Sequence, residues 1–77
     1  MRKWLREARE SKGLTMKQMA EKLLISESYY CAIENGTRQR NMDISLAERI
    51  SETLQISMKE ILRNESVMRK LAGALAT

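Results

Sequence analysis

Apolar residues recur along this 77-residue chain at spacings of three and four, the period of a helix face rather than the alternation of a strand. Five helices follow. Leu5 and Ala8, with Trp4 at the edge, mark helix 1 over about 2–12, and Gly13 stands where a left-handed residue ends a helix. Met19, Ala20 and Leu23 form the inner face of helix 2, opened by Thr15 in a Thr15-x-x-Gln18 capping box. Ser26 caps helix 3, Tyr30 and Ile33 face inward, and Asn35-Gly36 stops it. Asp43 caps helix 4, where the spacing places Ile44, Ala47, Ile50 and Leu54 on the core face. Ser57-x-x-Glu60 is a second capping box and opens helix 5, with Ile61 and Leu62 as its apolar contribution. Ser66 is a candidate cap for a short sixth helix carrying Val67, Met68, Leu71 and Leu75, in which Gly73 costs roughly 1 kcal/mol relative to Ala. With no proline and no alternating run, the expected fold class is all-α.

Length and composition narrow the picture. A chain of this size makes one domain and buries only about 60% of its unfolded surface, so it needs tight helix packing, a partner subunit, or both. Cys31 is alone, which excludes an intrachain disulfide, and the absence of His excludes the usual Cys/His zinc sites. No cofactor or metal is therefore expected. The opening MRKWLREARE is charged rather than apolar, unlike a signal peptide, and the longest aliphatic run, Leu23-Leu24-Ile25, is far short of a membrane span. A reducing, cytoplasmic setting fits. Catalysis is not expected, because there is no His, no paired carboxylate arrangement and no phosphate-cradling glycine loop.

The net charge of +4 is unevenly placed. Residues 1–40 hold nine Lys/Arg against five Glu, whereas residues 41–77 hold five of each sign. The excess lies in the half that contains Thr15 to Gly36, TMKQMAEKLLISESYYCAIENG. That stretch reads as two short amphipathic helices joined by a tight turn, each opened by a hydroxyl cap: a helix-turn-helix, whose second helix is suited to a DNA major groove. Ala20, small and central in helix 2, allows the two helices to cross closely. A basic half is what phosphate binding asks for. The same cations also fit a solvated helix 1, which carries Arg2, Lys3, Arg6, Arg9 and Lys12.

Residues 5–62 resemble the DNA-binding domain of the Cro/phage-repressor type, also called XRE-like. The resemblance rests on Leu5-x-x-x-Arg9, Gly13-Leu14-Thr15, Met19-Ala20-x-x-Leu23, Ile25-Ser26, Ile33-Glu34-Asn35-Gly36, Leu54-x-Ile56-Ser57 and Ile61-Leu62, in collinear order over about three-quarters of the chain. It implies a compact five-helix lambda-repressor-like domain over 1–62, followed by a tail or short helix over 63–77 able to form a dimer. It also implies a sequence-specific transcriptional regulator, a repressor binding double-stranded DNA at a palindromic operator as a homodimer, in the cytoplasm of a bacterium or encoded by a phage. No membrane and no small-molecule ligand enters that expectation.

The resemblance also assigns residues. Glu27, Ser28 and Tyr29 fall at the exposed start of the recognition helix, where side chains reach base edges. Glu27 can accept from cytosine N4, or serve only as a helix-dipole partner worth about 0.3–1 kcal/mol. Backbone contacts are expected from Thr15, Met16 and Lys17 at the start of helix 2, from Asn35, and from the loop Thr37, Arg38, Gln39 and Arg40. Arg9 and Glu34 are expected to form a structural ion pair. Tyr30 is expected to pack inward and Cys31 to be an inert small residue. Leu24, Gln55 and Met42 depart from the family pattern, which has Gly at the first two positions and Pro at the third. Leu24 should then adopt positive φ, at a cost of about 1–2 kcal/mol. Met58, Ile61, Met68, Leu71 and Leu75 are candidates for a dimer interface or for the monomer core. The competing reading is a protein-interaction module such as an antitoxin, with DNA binding secondary.

Overall fold

The computed structural model describes residues 1–76, including their side chains except at 69 and 71–76. The described residues form five helices in sequence: α1 (Lys3–Ser11), α2 (Met16–Leu23), α3 (Glu27–Asn35), α4 (Ile44–Leu54) and α5 (Met58–Ala76). Three of the four connections repeat one local solution. Gly13-Leu14-Thr15, Leu24-Ile25-Ser26 and Gln55-Ile56-Ser57 each place a left-handed residue first, an apolar residue second and a hydroxyl cap third. The left-handed residue turns the chain so that the next N–H closes the helix behind it: Leu14 to Arg9 carbonyl at 3.2 Å, Ile25 to Ala20 at 3.0 Å, Ile56 to Ser51 at 3.2 Å. The apolar residue packs on the core in all three. The hydroxyl then accepts an N–H from the next helix: Thr15 from Gln18, Ser26 from Tyr29, Ser57 from Glu60, each at 3.1 Å. At Thr15 the capping box is complete, because Gln18 Oε1 accepts the Thr15 N–H at 2.9 Å.

These short connections stack the helices around a core of Leu5, Met19, Ala20, Leu23, Tyr30, Ile33, Leu46, Ala47, Ile50, Leu54 and Ile61. Asp43 caps α4 by accepting the Leu46 N–H at 2.7 Å. Ile44, expected on the core face, is 72% exposed, and Leu46 takes its place. The buried stripe of α4 runs through positions 46, 47, 50 and 54, and residue 44 lies roughly 100° of helix rotation from its centre. Leu62 likewise faces solvent, since the inner stripe of α5 runs through Met58, Ile61 and Glu65. The segment from Ser66, expected to open a sixth helix, lies within the run of α5; Leu71, Gly73 and Leu75 fall where side chains are outside the described residues. The expected boundary at 62/63 falls inside α5 as well.

Two buried ion pairs cross the core boundary. Arg9 donates through Nε and Nη2 to the two Glu34 carboxylate oxygens at 3.0 and 3.2 Å, and through Nη1 to the Leu14 carbonyl at 2.6 Å. Glu34 holds the Arg9 guanidinium above its usual pKa, against the opposing effect of burial. The second pair was not foreseen. Arg2 is 0% exposed and bonds Glu65 on α5, at 3.0 Å from both Nε and Nη2. Arg2 therefore departs from the solvated helix 1 that the cations there also fit.

Leu24 has φ 60° and is 82% exposed, so it carries left-handed strain with little packing in return. Leu24→Gly should raise the stability of the folded state by up to about 1 kcal/mol, near 4–8 °C in Tm for a domain of this size; an unchanged or lower Tm would count against strain at the turn. Arg9→Ala should lower the unfolding free energy by about 3–5 kcal/mol in urea denaturation, because it strands a buried carboxylate. Replacing both members, as Arg9→Met with Glu34→Leu, should restore part of that loss.

Candidate nucleic-acid interface

The turn between α2 and α3 sets the pose of α3. Ala20, 2% exposed, lets the two helices approach. Leu24 N–H donates to the Glu21 carbonyl at 3.2 Å, and Arg49 reaches from α4 to donate through Nη1 to the Leu23 carbonyl at 3.2 Å. Arg49 escaped sequence reading because its partner is a backbone carbonyl 26 residues away. Past the turn, Ser26 fixes the first turn of α3, and Glu27 and Ser28 are exposed there. The far end of α3 is closed by Gly36 at φ 82° and held by both ion pairs, through the Glu34 carboxylate and the Ile33 carbonyl. The C-terminal end of α3 is thus clamped, while the first turn presents Glu27 and Ser28 to solvent.

Tyr29 and Gln39, assigned from different segments, are brought together. Gln39 Nε2 donates to the Tyr29 hydroxyl at 2.8 Å, and Gln39 Oε1 accepts the Asp43 N–H at 3.1 Å. One side chain therefore ties the start of α3 to the start of α4, and Gln39 adopts φ 55° to do so. Other assigned side chains are turned to local tasks. Thr15 Oγ caps α2, Met16 packs on the core, Thr37 Oγ donates to the Ala32 carbonyl at 3.2 Å, and Asn35 Nδ2 donates to Cys31 Sγ at 3.5 Å. Lys17, Arg38 and Arg40 are exposed and form no ion pair among the described residues.

The charge asymmetry takes a different form in three dimensions. On α1, Lys3 and Arg6 pair with Glu7 and Glu10 at 4.0 and 2.8 Å, while Arg9 and, at its N-cap, Arg2 are buried against glutamates. The cations left without carboxylate partners among the first forty residues lie later: Lys12, Lys17 and Lys22, then Arg38 and Arg40. Lys17 at the head of α2 and Arg38 with Arg40 past the end of α3 are the backbone-contact candidates among them. At the head of α2 the first N–H groups also have no intrahelical partner, which adds to the positive field there.

Of the candidates for a dimer interface, Ile61 is buried in the core and Met58 packs against it. Met68 lines an open pocket with Met1, Trp4 and Val67. Leu71 and Leu75 lie outside the described side chains. Large exposed apolar residues on α5 are Leu62 and Val67. No helix among the described residues is long and apolar enough to cross a membrane. Cys31 is free and half-buried.

Residues 3–67 match the family model described as a helix-turn-helix domain. A Bacillus subtilis (strain 168) protein named "Uncharacterized HTH-type transcriptional regulator YqaF" is 43% identical over 54 residues, which cover 70% of this chain and 68% of that protein. No solved structure matches the chain significantly.

Tyr30, on the inner face of α3, gives a test of the packing. It is fully buried and its hydroxyl has no hydrogen-bond partner. Burial pushes its phenol pKa up, and the Glu34 carboxylate adds to the shift. A folded pKa above the unfolded one makes the contribution full below the usual phenol value, about 10, and lost as pH rises beyond it. Thermal melts should therefore show a steeper loss of Tm between pH 9 and 11 for the parent chain than for Tyr30→Phe. Parallel curves would contradict this placement.

Proposed function

The chain belongs to the XRE-like helix-turn-helix family, and on that footing we propose that it is a sequence-specific DNA-binding transcriptional regulator, a non-enzymatic repressor that occupies a palindromic operator as a homodimer in the cytoplasm. The observation that carries the reading is the exposed first turn of α3 together with exposed cations that form no ion pair among the described residues, Lys17 at the head of α2 and Arg38 with Arg40 in the loop after α3. In this proposal α3 enters the major groove with Glu27, Ser28 and Tyr29 toward base edges. Lys17, the leading N–H groups of α2, Arg38 and Arg40 meet the phosphates on either side, with Thr15, Met16, Asn35, Thr37 and Gln39 completing the backbone contacts. A monomer with so few contacts binds weakly. Two copies reading half-sites one helical turn apart, ~34 Å, supply the missing affinity. Leu62 and Val67 on α5 offer apolar surface for that pairing, and the segment 63–77 is its natural site.

Selection of bound sequences from random duplex DNA tests the reading. The expected product is a palindrome with half-site centres about 10 base pairs apart. On the selected duplex, log Kobs should fall linearly with log[salt], and Arg38→Ala or Arg40→Ala should each flatten the slope by about 0.9. Failure to enrich any sequence at low salt would overturn the proposal.

A further inference from the structure

Arg2 has no place in the interface just described, yet it touches the interface from within. Besides Glu65, its guanidinium donates through Nη1 to the Ile33 carbonyl at 2.6 Å and to the Arg38 carbonyl at 3.2 Å, and through Nη2 to the Gln39 carbonyl. Its backbone N–H donates to the Glu34 carbonyl at 2.7 Å. Four carbonyls, two in the last turn of α3 and two in the next loop, thus converge on Arg2. Glu65 neutralises that cation and is itself held by Trp4 Nε1 at 2.8 Å.

We propose that Arg2 is a positioning residue for DNA binding: it sets the path of the loop that carries Arg38 and Arg40, with Glu65 on α5 as its anchor. This rests on the DNA-binding reading above. The physical link is the planarity of the peptide bond. Drawing the carbonyls of Arg38 and Gln39 inward onto Arg2 turns the following N–H groups, those of Gln39 and Arg40, the opposite way. The exposed side chains of Arg38 and Arg40 leave the same stretch of backbone. The loop is pinned from its other side by Thr37 and Arg38 N–H donating to the Ala32 carbonyl at 3.0 and 3.2 Å, and by Gln39 bridging Tyr29 and Asp43. A guanidinium is the group for this task, because its planar fork reaches a carboxylate and several carbonyls at once; an ammonium on the same stem has one centre and cannot. α5 is consequently joined to the phosphate-facing loop by a chain of direct bonds, Glu65 to Arg2 to the carbonyls of residues 38 and 39.

The test uses the full chain with Arg2→Lys, which keeps the charge and removes the fork, and Glu65→Gln, which keeps the shape and removes the anchor charge. Both are studied at a temperature where circular dichroism shows them folded; if Arg2→Lys does not fold, Glu65→Gln decides. Amide exchange by NMR should accelerate at Thr37, Arg38 and Asp43 relative to the rest of α3 and α4. On the selected operator the salt slope should flatten by about one to two units. Adding either variant to Arg38→Ala with Arg40→Ala should flatten it no further. Three results would overturn the proposal: unchanged loop exchange in a folded variant, an unchanged salt slope, or equal flattening in the background lacking both arginines. If the parent chain binds no duplex at low salt, the functional reading fails, and the role of Arg2 toward phosphate fails with it. The exchange data then still report whether Arg2 holds the loop.

Discussion

The buried guanidinium of Arg2 is the point on which the chain closes. It joins residues 33, 38, 39 and 65, and the Arg2 backbone N–H adds residue 34, so the first and last helices among the described residues meet the end of the middle one through a single residue. Taking a charge out of water is costly unless a counter-ion and hydrogen bonds replace the lost hydration. Here both are present. Arg9 and Glu34 repeat the device about two helix turns along α1, and Glu34 serves both pairs, with its carboxylate on Arg9 and its carbonyl on the Arg2 N–H. A chain of this length cannot bury enough apolar surface to hold five helices firmly by area alone. Two directional, satisfied ion pairs fix the C-terminal end of α3 where the hydrophobic core would permit several angles.

The connections solve the same problem at lower cost. A left-handed residue, an apolar anchor and a hydroxyl cap satisfy the carbonyls of one helix and the N–H groups of the next within three residues. Each helix direction is therefore set locally and checked by the anchor residue, Leu14, Ile25 or Ile56, entering the core. At Gly13 the left-handed conformation is free of strain. At Leu24 and Gln55 it is not. The turn between α2 and α3 thus keeps a geometry that its own sequence mildly opposes, and Arg49 on the Leu23 carbonyl, with Ile25 packed on the core, compensates.

Much of the fold was legible because its determinants are local. Thr15, Ser26, Asp43 and Ser57 announce their helices within three residues, and Gly36 ends α3 by its own conformational freedom. Core faces were legible where the helical period is clean, as in α2, and failed at Ile44 and Leu62, where an apolar residue sits beside the buried stripe rather than on it. What periodicity could not show was the partner of Arg2, 63 residues away, or the convergence of Gln39 on Tyr29. A charged residue near the start of an amphipathic helix reads as solvated unless its counter-ion is known. For the same reason the charge count could not divide the excess within residues 1–40: the cations of α1 are matched by glutamates, and those without carboxylate partners among the described residues are Lys12, Lys17 and Lys22 with Arg38 and Arg40.

That redistribution bears on how such an interface discriminates between sequences. On the DNA-binding reading, these cations draw the protein to any duplex and supply affinity without sequence information. The exposed first turn of α3 offers Glu27 and Ser28, with Tyr29 partly engaged by Gln39. None of these is a bidentate donor for guanine or adenine. A carboxylate carried into the groove is repelled by phosphate and by the acceptor-rich edge of guanine, and is tolerated where cytosine N4 can donate to it. Discrimination then comes from rejecting unfavourable sequences more than from rewarding one. That strategy works only if the carboxylate is held at a fixed depth. The clamped end of α3 and the loop pinned by Arg2 and Gln39 supply that rigidity.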